Sequence, residues 1–475
     1  MRLALPSATD LIFIVLLLSL SVGVLSPRLL GDAGTGWHIR NGELVLQNHA
    51  VTRADPFSAS VGGQPWYAWE WLYDAAIAAI HGHSGLNGVV LLTALGIALV
   101  FGLVLRLAIV YGATLPIATL FTMLAAGAST IHFLARPHVF SWLFTVIWFW
   151  LLDSAESDSR PRRLYWLPLL TVLWVNVHGG FVVGFVLLGI YLVAAIFKKS
   201  KSAKTIAIVT TLSFFASFIN PYGYQLHLHI YRYLTDRFLM NHIDEFSSPN
   251  FHGVAQQGFA VLLLLSMVAV AVRKEQIQAS RILVLLFAAY SGLFASRNLP
   301  VSSILLTFIA APVLSRALNQ SRWAAFSVRI TQMELRSRGH IWPALMVIIL
   351  FWRVGSIHAA FPDNKFPVQG VDYIAQQNIT DPVFCPDDWG GYLIYRLYPK
   401  NKVIVDDRHD LYGDDFLRQY LKTIRVEPGW NELLAAQKVR WAILPAGSSL
   451  DNLLEINPQW AVRHKDVVAV LFEKK

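Results

Sequence analysis

Long apolar runs recur along the chain near 10–30, 86–110, 115–134, 138–152, 164–178, 180–197, 205–220, 255–272, 281–295, 299–316 and 341–358. About 20 apolar residues suffice for one helical crossing of a bilayer. The pattern therefore predicts an all-α polytopic membrane bundle of about 11 transmembrane helices. The polar breaks are of two kinds. Those with Arg160, Arg162 and Arg163, with Lys198, Lys199, Lys201 and Lys204, with Arg273, Lys274 and Arg281, and with Arg316, Arg322, Arg329, Arg336 and Arg338 all fall on one side of the span list. The positive-inside rule makes that side cytoplasmic. The N-terminus is then inside and the C-terminus outside, as an odd number of spans requires.

Three stretches remain for the other side: a large first outer loop at about 31–85, a second at about 221–253, and everything after 358. This predicts a transmembrane unit over 1–358 and a small outer soluble α/β domain over 359–475. In that tail, Pro382 to Cys385, Lys402 to Val405, Arg440 to Leu444 and Val467 to Phe472 read as strands. Trp389 to Leu397, Asp415 to Ile424 and Trp430 to Gln437 have helical spacing.

Composition agrees with a membrane protein. Of 475 residues, 55% are hydrophobic and 15% charged, against about a quarter charged in ordinary soluble domains. That excludes a soluble or disordered chain. The net charge of +9 resides in the short basic loops, so orientation explains it and no nucleic-acid partner is expected. The single cysteine, Cys385, excludes a disulfide framework and a multi-cysteine metal site, and reads as a small buried residue. Arg2 followed by an apolar run from Leu11 to Leu25 resembles a signal peptide, but it lacks a small-x-small cleavage site and is read as an uncleaved first span.

No phosphate-cradling glycine loop, nucleophile elbow or zincin helix is present. The informative pattern is instead the outer ends of the spans. Asp32, Trp37, His38 and Arg40 open the first loop, followed by Asp55-Pro56 and then Trp66, Trp69, Glu70 and Trp71. Arg136 and His138, then Asn176 and His178, then Asn220 and Tyr222, then Arg297 and Asn298 stand at later outer turns, and Arg353 lies in the last span. Ionisable groups at membrane depth are costly and usually face a cavity or a partner. Carboxylates beside arginines suit transfer of a sugar from a lipid phosphate: a carboxylate takes the proton of an attacking hydroxyl, and arginines bind the phosphate left behind. Bland readings stand beside these. Asp32 is also placed to cap a helix, Asp55 to shape a turn, the tryptophans to lie in an interfacial helix, and the arginines to snorkel. His38 and His178 are hydrogen-bonding residues more readily than metal ligands. The run Asp406, Asp407, Arg408, Asp410 reads as an internal salt-bridged turn, with cation or acceptor binding as its alternative.

The stretches GDAGTGWHIRNGELVLQNHAVTRADPFS at 31–58, QPWYAWEWL at 64–72 and WGGYLIYRLYPKNKVIVDDRHDLYG at 389–413 carry a resemblance, echoed by ARPHVFSW, NVHGGF, NPYG and SRNLP. The chain resembles the glycosyltransferase C superfamily of multi-span enzymes that use polyprenyl-phosphate-linked sugars. The resemblance implies a bacterial inner-membrane glycosyltransferase with its tail on the periplasmic side. It would move a sugar from a polyprenyl-phosphate carrier to a glycan, lipid or protein acceptor. Asp32 takes the place of the superfamily's catalytic carboxylate. Glu70, Asp55, His38, His178, Tyr222, Arg136, Arg297 and Arg353 are the expected substrate-binding residues. Many superfamily members carry a second acidic residue next to the first, where this chain has Gly34. That departure leaves no metal ligand assigned, although the superfamily makes a divalent cation possible. It also keeps open an inactive lipid-carrier-binding or envelope-assembly protein of the same fold.

Overall fold

The computed structural model describes residues 5–157, 161–318, 324–337 and 339–475. Arg160, Arg322 and Arg338 lie outside the described residues. Each apolar stretch holds an apolar helix: α1 Ala8–Ser21, α3 Trp71–Val110, α4 Leu115–Ser129, α5 His138–Ser157, α6 Trp166–Val177, α7 Phe181–Phe197, α8 Ser202–Ala216, α10 Val254–Ala271, α11 Ala279–Phe294, α12 Leu299–Ala317 and α14 Ile341–Trp352. Helix α2, Gly34–Asn48, lies in the first loop, α9, Tyr224–Thr235, in the second, and α13, Ala324–Arg336, before α14. Among the described residues, five helices suffice by length and composition to cross a membrane: α3, α5, α10, and α4 and α12 with their flanking turns.

Two predicted spans end early. Helix α1 stops at Ser21 rather than near residue 30, because Gly23 and Pro27 follow it. Helix α14 stops at Trp352, before Gly355. Helix α3 departs the other way. Its 40 residues run to about 60 Å, too long for one crossing, and it begins in the predicted first loop. Gly85, at φ 59° and ψ −155°, divides it into a polar loop segment and an apolar span.

Helix α12 is the axis of the bundle, buried along nearly its whole length and packed on α3, α4, α10 and α11. At one end of the bundle the basic residues find partners. Arg281 pairs with Asp153 at 2.8 Å and Lys198 with Glu156 at 2.8 Å. The site described below lies at the opposite ends of the helices, beginning at Glu70, Arg136, His178 and Arg297.

The tail forms helices α15 Val368–Gln376, α16 Asp387–Leu397, α17 Asp414–Arg425 and α18 Ser449–Ile456 around a four-stranded sheet. Strands β1 Val383–Phe384, β2 Trp441–Pro445, β3 Trp460–Lys465 and β4 Ala469–Lys474 run in the order β1-β2-β4-β3. β1 and β2 are parallel, and β4 is antiparallel to both β2 and β3. The segment expected as a strand from Lys402 to Val405 instead bridges two units, with Val403 pairing both Ser58 of the first loop and Val383 of β1. Helix α16 lies directly on α2. A Cβ on Gly391 would meet the Ala33 carbonyl oxygen at 2.3 Å, so only glycine allows this approach. The hydrophobic core runs without a break from the spans through Trp37, Phe57 and Trp66 to Trp389, Tyr392 and Leu393 of the tail.

Candidate functional site

The first loop, one set of helix ends and the tail meet around Arg136, in the turn between α4 and α5. Its guanidinium lies 3.1 Å from Asp407 of the tail and 3.6 Å from Asp32. Asp407 is held in place by the Trp37 indole N–H at 2.8 Å. Asp32 accepts the Gly34 amide at 2.7 Å on Oδ1, the oxygen that faces Arg136. A Cβ on Gly34 would fall 1.4 Å from Arg136 Nη1 and 2.5 Å from Asp407 Oδ2. The glycine where the superfamily pattern has a second acid is thus the space that the guanidinium enters. Nη1 itself is buried against Gly34, faces Asp32 Oδ1 at 3.6 Å and makes no hydrogen bond among the described residues. Burial pushes the Asp407 carboxyl up to about 6; Asp32 and Asp406 add to this and Arg136 opposes it.

The acidic run of the tail is more than an internal turn. Arg408 does pair with Asp406 at 2.7 Å, but it also reaches Asp55 of the first loop at 2.8 Å, with all three side chains buried. The guanidinium lies 4.6 Å from the centre of the Trp66 ring. Asp410 pairs with His229 of α9 at 3.1 Å, and His409 pairs with Asp387 of α16 at 2.6 Å. Five consecutive residues therefore tie the tail to both outer loops and supply Asp407. The sequence shows the run, but not that its partners lie hundreds of positions away.

A second chain of polar groups lies between α2, α3 and the turn after α6. Asp74, fully buried, shares a hydrogen bond with His38 Nδ1 at 2.6 Å and accepts the Asn41 amide at 2.6 Å. His38 Nε2 faces Glu70 Oε2 at 3.7 Å, and the other Glu70 oxygen faces His178 Nε2 at 3.7 Å. His178 Nδ1 accepts the Gly180 amide at 3.0 Å. Burial lowers the His38 pKa well below its ordinary value, with the Arg136 charge adding to the shift. Burial raises Glu70 to about 7; Arg136 and Arg297 oppose the shift and Asp410 adds to it. Sequence reasoning missed Asp74, although its i+4 spacing from Glu70 puts both on one face of a helix.

Other expected site residues are placed as follows. Arg297 lies over the Phe246 ring at 4.5 Å and forms no ion pair among the described residues, while Glu245 nearby is held ionised by it. The Tyr222 hydroxyl donates to the Thr52 carbonyl at 3.0 Å and accepts the Ala68 amide at 2.9 Å, clamping the two arms of the first loop. Asp55 caps the amides of Phe57 and Ser58 besides binding Arg408. Arg353 is exposed at the end of α14 and joins none of these contacts. Among the described residues no group of three or more His, Cys, Asp or Glu side chains is arranged to hold a metal ion. Between Asp32 and Asp407 stands a guanidinium rather than space for a divalent cation.

Beside the cluster an apolar groove of about 680 Å³ opens between α3, α6 and the end of α8, lined by Trp71, Leu72, Leu169, Leu170, Leu173 and Ile219 among others. Its polar rim is a hydrogen bond from Trp71 to Asn176 at 2.7 Å, next to Glu70 and His178 in sequence.

The helical bundle with its structured first loop and small α/β tail is a fold found among solved structures. Three solved structures share it. The oligosaccharyltransferase of Archaeoglobus fulgidus in its apo form aligns over 92% of this chain and 69% of its own, with a TM-score of 0.57 and 11% identity. Archaeal oligosaccharyltransferase AglB from the same organism, in complex with an inhibitory peptide and a dolichol-phosphate, covers the same shares at a TM-score of 0.57 and 12% identity. Mycobacterial arabinofuranosyltransferase AftD aligns over all of this chain but 40% of its own, with a TM-score of 0.52 and 13% identity. At such identities the likeness is one of fold. No protein-family model and no curated protein sequence matches the chain.

Proposed function

We propose that the protein is an integral-membrane glycosyltransferase that moves a sugar from a polyprenyl-phosphate carrier to an acceptor at the outer, periplasmic face of a bacterial inner membrane. It crosses that membrane about 11 times with the basic end inside. The observation that carries this reading is Arg136, fixed between Asp32 and Asp407 with one guanidinium nitrogen left unsatisfied. A positioned cation whose donors are not all engaged suits a phosphate that gains charge as its bond to the sugar breaks. Arg297, which forms no ion pair among the described residues, is the second phosphate ligand. The groove beside Trp71 takes the prenyl chain, since its lining is almost wholly apolar. The attacking hydroxyl loses its proton to a first-loop carboxylate, of which the site offers two, Asp32 and Glu70. Asp55 and Tyr222 hold the loop, and His38 and His178 flank the acceptor position. Arg353 is left a headgroup contact. The carrier-bound archaeal neighbour supports the lipid-phosphate reading.

Native mass spectrometry of the protein in its own lipids tests the carrier site. Wild type is expected to retain a polyprenyl phosphate or its glycosylated form, and Arg136→Ala, Arg297→Ala to lose it. Equal retention by both would make the two arginines headgroup anchors. A protein that retains the lipid but transfers no sugar from any donor would instead be a carrier-binding or assembly protein, the reading that Gly34 at the acidic position favours.

A further inference from the structure

The contacts of Asp74, His38 and Glu70 carry the reading one step further, to the group that takes the acceptor's proton. The tautomer of His178 is fixed: Gly180 donates to its Nδ1, so the ring proton sits on Nε2, facing Glu70 Oε1. On the other side His38 Nε2 faces Glu70 Oε2, and His38 Nδ1 shares a hydrogen bond with Asp74 at 2.6 Å. Burial raises the Asp74 carboxyl well above its usual range and Glu70 adds to this, so Glu70, His38 and Asp74 form one line along which a proton is held in common. Both gaps to Glu70 are 3.7 Å, too long for a direct hydrogen bond, so neither histidine closes the carboxylate off. Asp32 differs: its Oδ1 is engaged by the Gly34 amide and faces the Arg136 cation. The charged and titratable groups facing Glu70 are Arg136, Arg297, Asp410, Asp74, His38 and His178, and no lysine or arginine forms an ion pair with it among the described residues.

We propose that Glu70, flanked by His178 and backed through His38 by the buried Asp74, is the general base of the transfer, and that Asp32 positions Arg136. The proposal rests on the glycosyltransferase reading and takes a hydroxyl-bearing acceptor. As the acceptor oxygen bonds to the anomeric carbon, its proton moves to Glu70 and is then shared between Oε2 and His38 Nε2. The bond from that carbon to the carrier's phosphate oxygen breaks, and its electron pair stays on the phosphate, which Arg136 and Arg297 bind. Glu70 is the catalytic residue, while His38 and Asp74 are positioning residues that act through it. Titration near neutrality, which burial gives Glu70, matches a base to its working pH.

Infrared difference spectra of the full chain in nanodiscs, taken between pH 5 and 9, read this proton without any substrate. Expected is a protonated-carboxyl band titrating near pH 7 that survives in Asp32→Asn and Asp407→Asn, vanishes in Glu70→Gln and shifts its midpoint in His38→Asn. Should His38→Asn fail to fold, Glu70→Asp supplies the second variant, with the band kept and its midpoint moved. A band that persists unchanged in Glu70→Gln, or no band at all, overturns the proposal. Transfer assays with polyprenyl-phosphate sugars complete the test. Glu70→Gln is expected to slow transfer about a hundredfold or more, with the acidic limb of the pH–rate profile following the infrared midpoint. If Glu70→Gln transfers at the wild-type rate, the base assignment fails and the glycosyltransferase reading stands. If wild type transfers nothing from any donor while the band is present, the glycosyltransferase reading fails and takes the catalytic role of Glu70 with it.

Discussion

Gly34→Ala is expected to fold and to lose its lipid carrier. The added methyl would fall 1.4 Å from Arg136 Nη1, a distance no packing tolerates. The obstructing atom is the end of a flexible side chain, so the backbone can stay where it is and the guanidinium has to leave. Asp32 and Asp407 then face each other without their cation, and the guanidinium is withdrawn from the site. Retention of polyprenyl phosphate in native mass spectrometry should fall to the level of Arg136→Ala, and transfer should drop on the order of a hundred- to a thousandfold, as when one preorganised donor is removed. Gly34→Asp, which restores the acidic pair of the superfamily pattern, should be no better than Gly34→Ala, with or without added divalent cation. A Gly34→Ala protein that keeps both lipid and activity would show that Arg136 is not the phosphate ligand.

The second large effect is on stability. Arg408→Leu leaves Asp55 and Asp406 buried with no cation, and breaking a buried pair from one side costs about 3–5 kcal/mol. The loss should appear as a large fall in the thermal midpoint of the detergent-solubilised protein and as rapid proteolysis of the tail, since Arg408 joins the tail to the first loop. Arg408→Lys keeps the charge but not the two-pronged contact with Asp406, and should lie between wild type and Arg408→Leu. Wild-type stability in Arg408→Leu would mean that the apolar α2–α16 contact alone holds the tail.

How much of this was legible in the sequence depended on the range of each signal. Apolar runs showed the bundle because hydrophobic length is a local property, and most tail strands were visible for the same reason. The loop segment of α3 was hidden because Asp74, His81, His83 and Ser84 make it too polar to read as part of a span. Helix α2 was hidden because its apolar face is covered by the tail, a partner distant in sequence. Asp32, Glu70, Arg136, His38 and His178 could be found as ionisable residues at outer helix ends, and the structure gathers them. The same signal selected Arg353, which is exposed elsewhere, because a position near a helix end does not say which way the side chain faces. Asp407 could not be found this way, since its importance comes from Arg136 and Trp37, both more than 250 residues earlier.

The tail's contribution of Asp407 has a bearing on how the protein is made. The ribosome completes the first loop and all the spans before the segment around Asp407 exists, so Arg136 waits through most of synthesis for its partner. A chain cut short before the tail can insert its helices and yet present an incomplete pocket. Only a finished tail docked glycine to backbone on the first loop completes it, so an abandoned nascent chain has no assembled pocket.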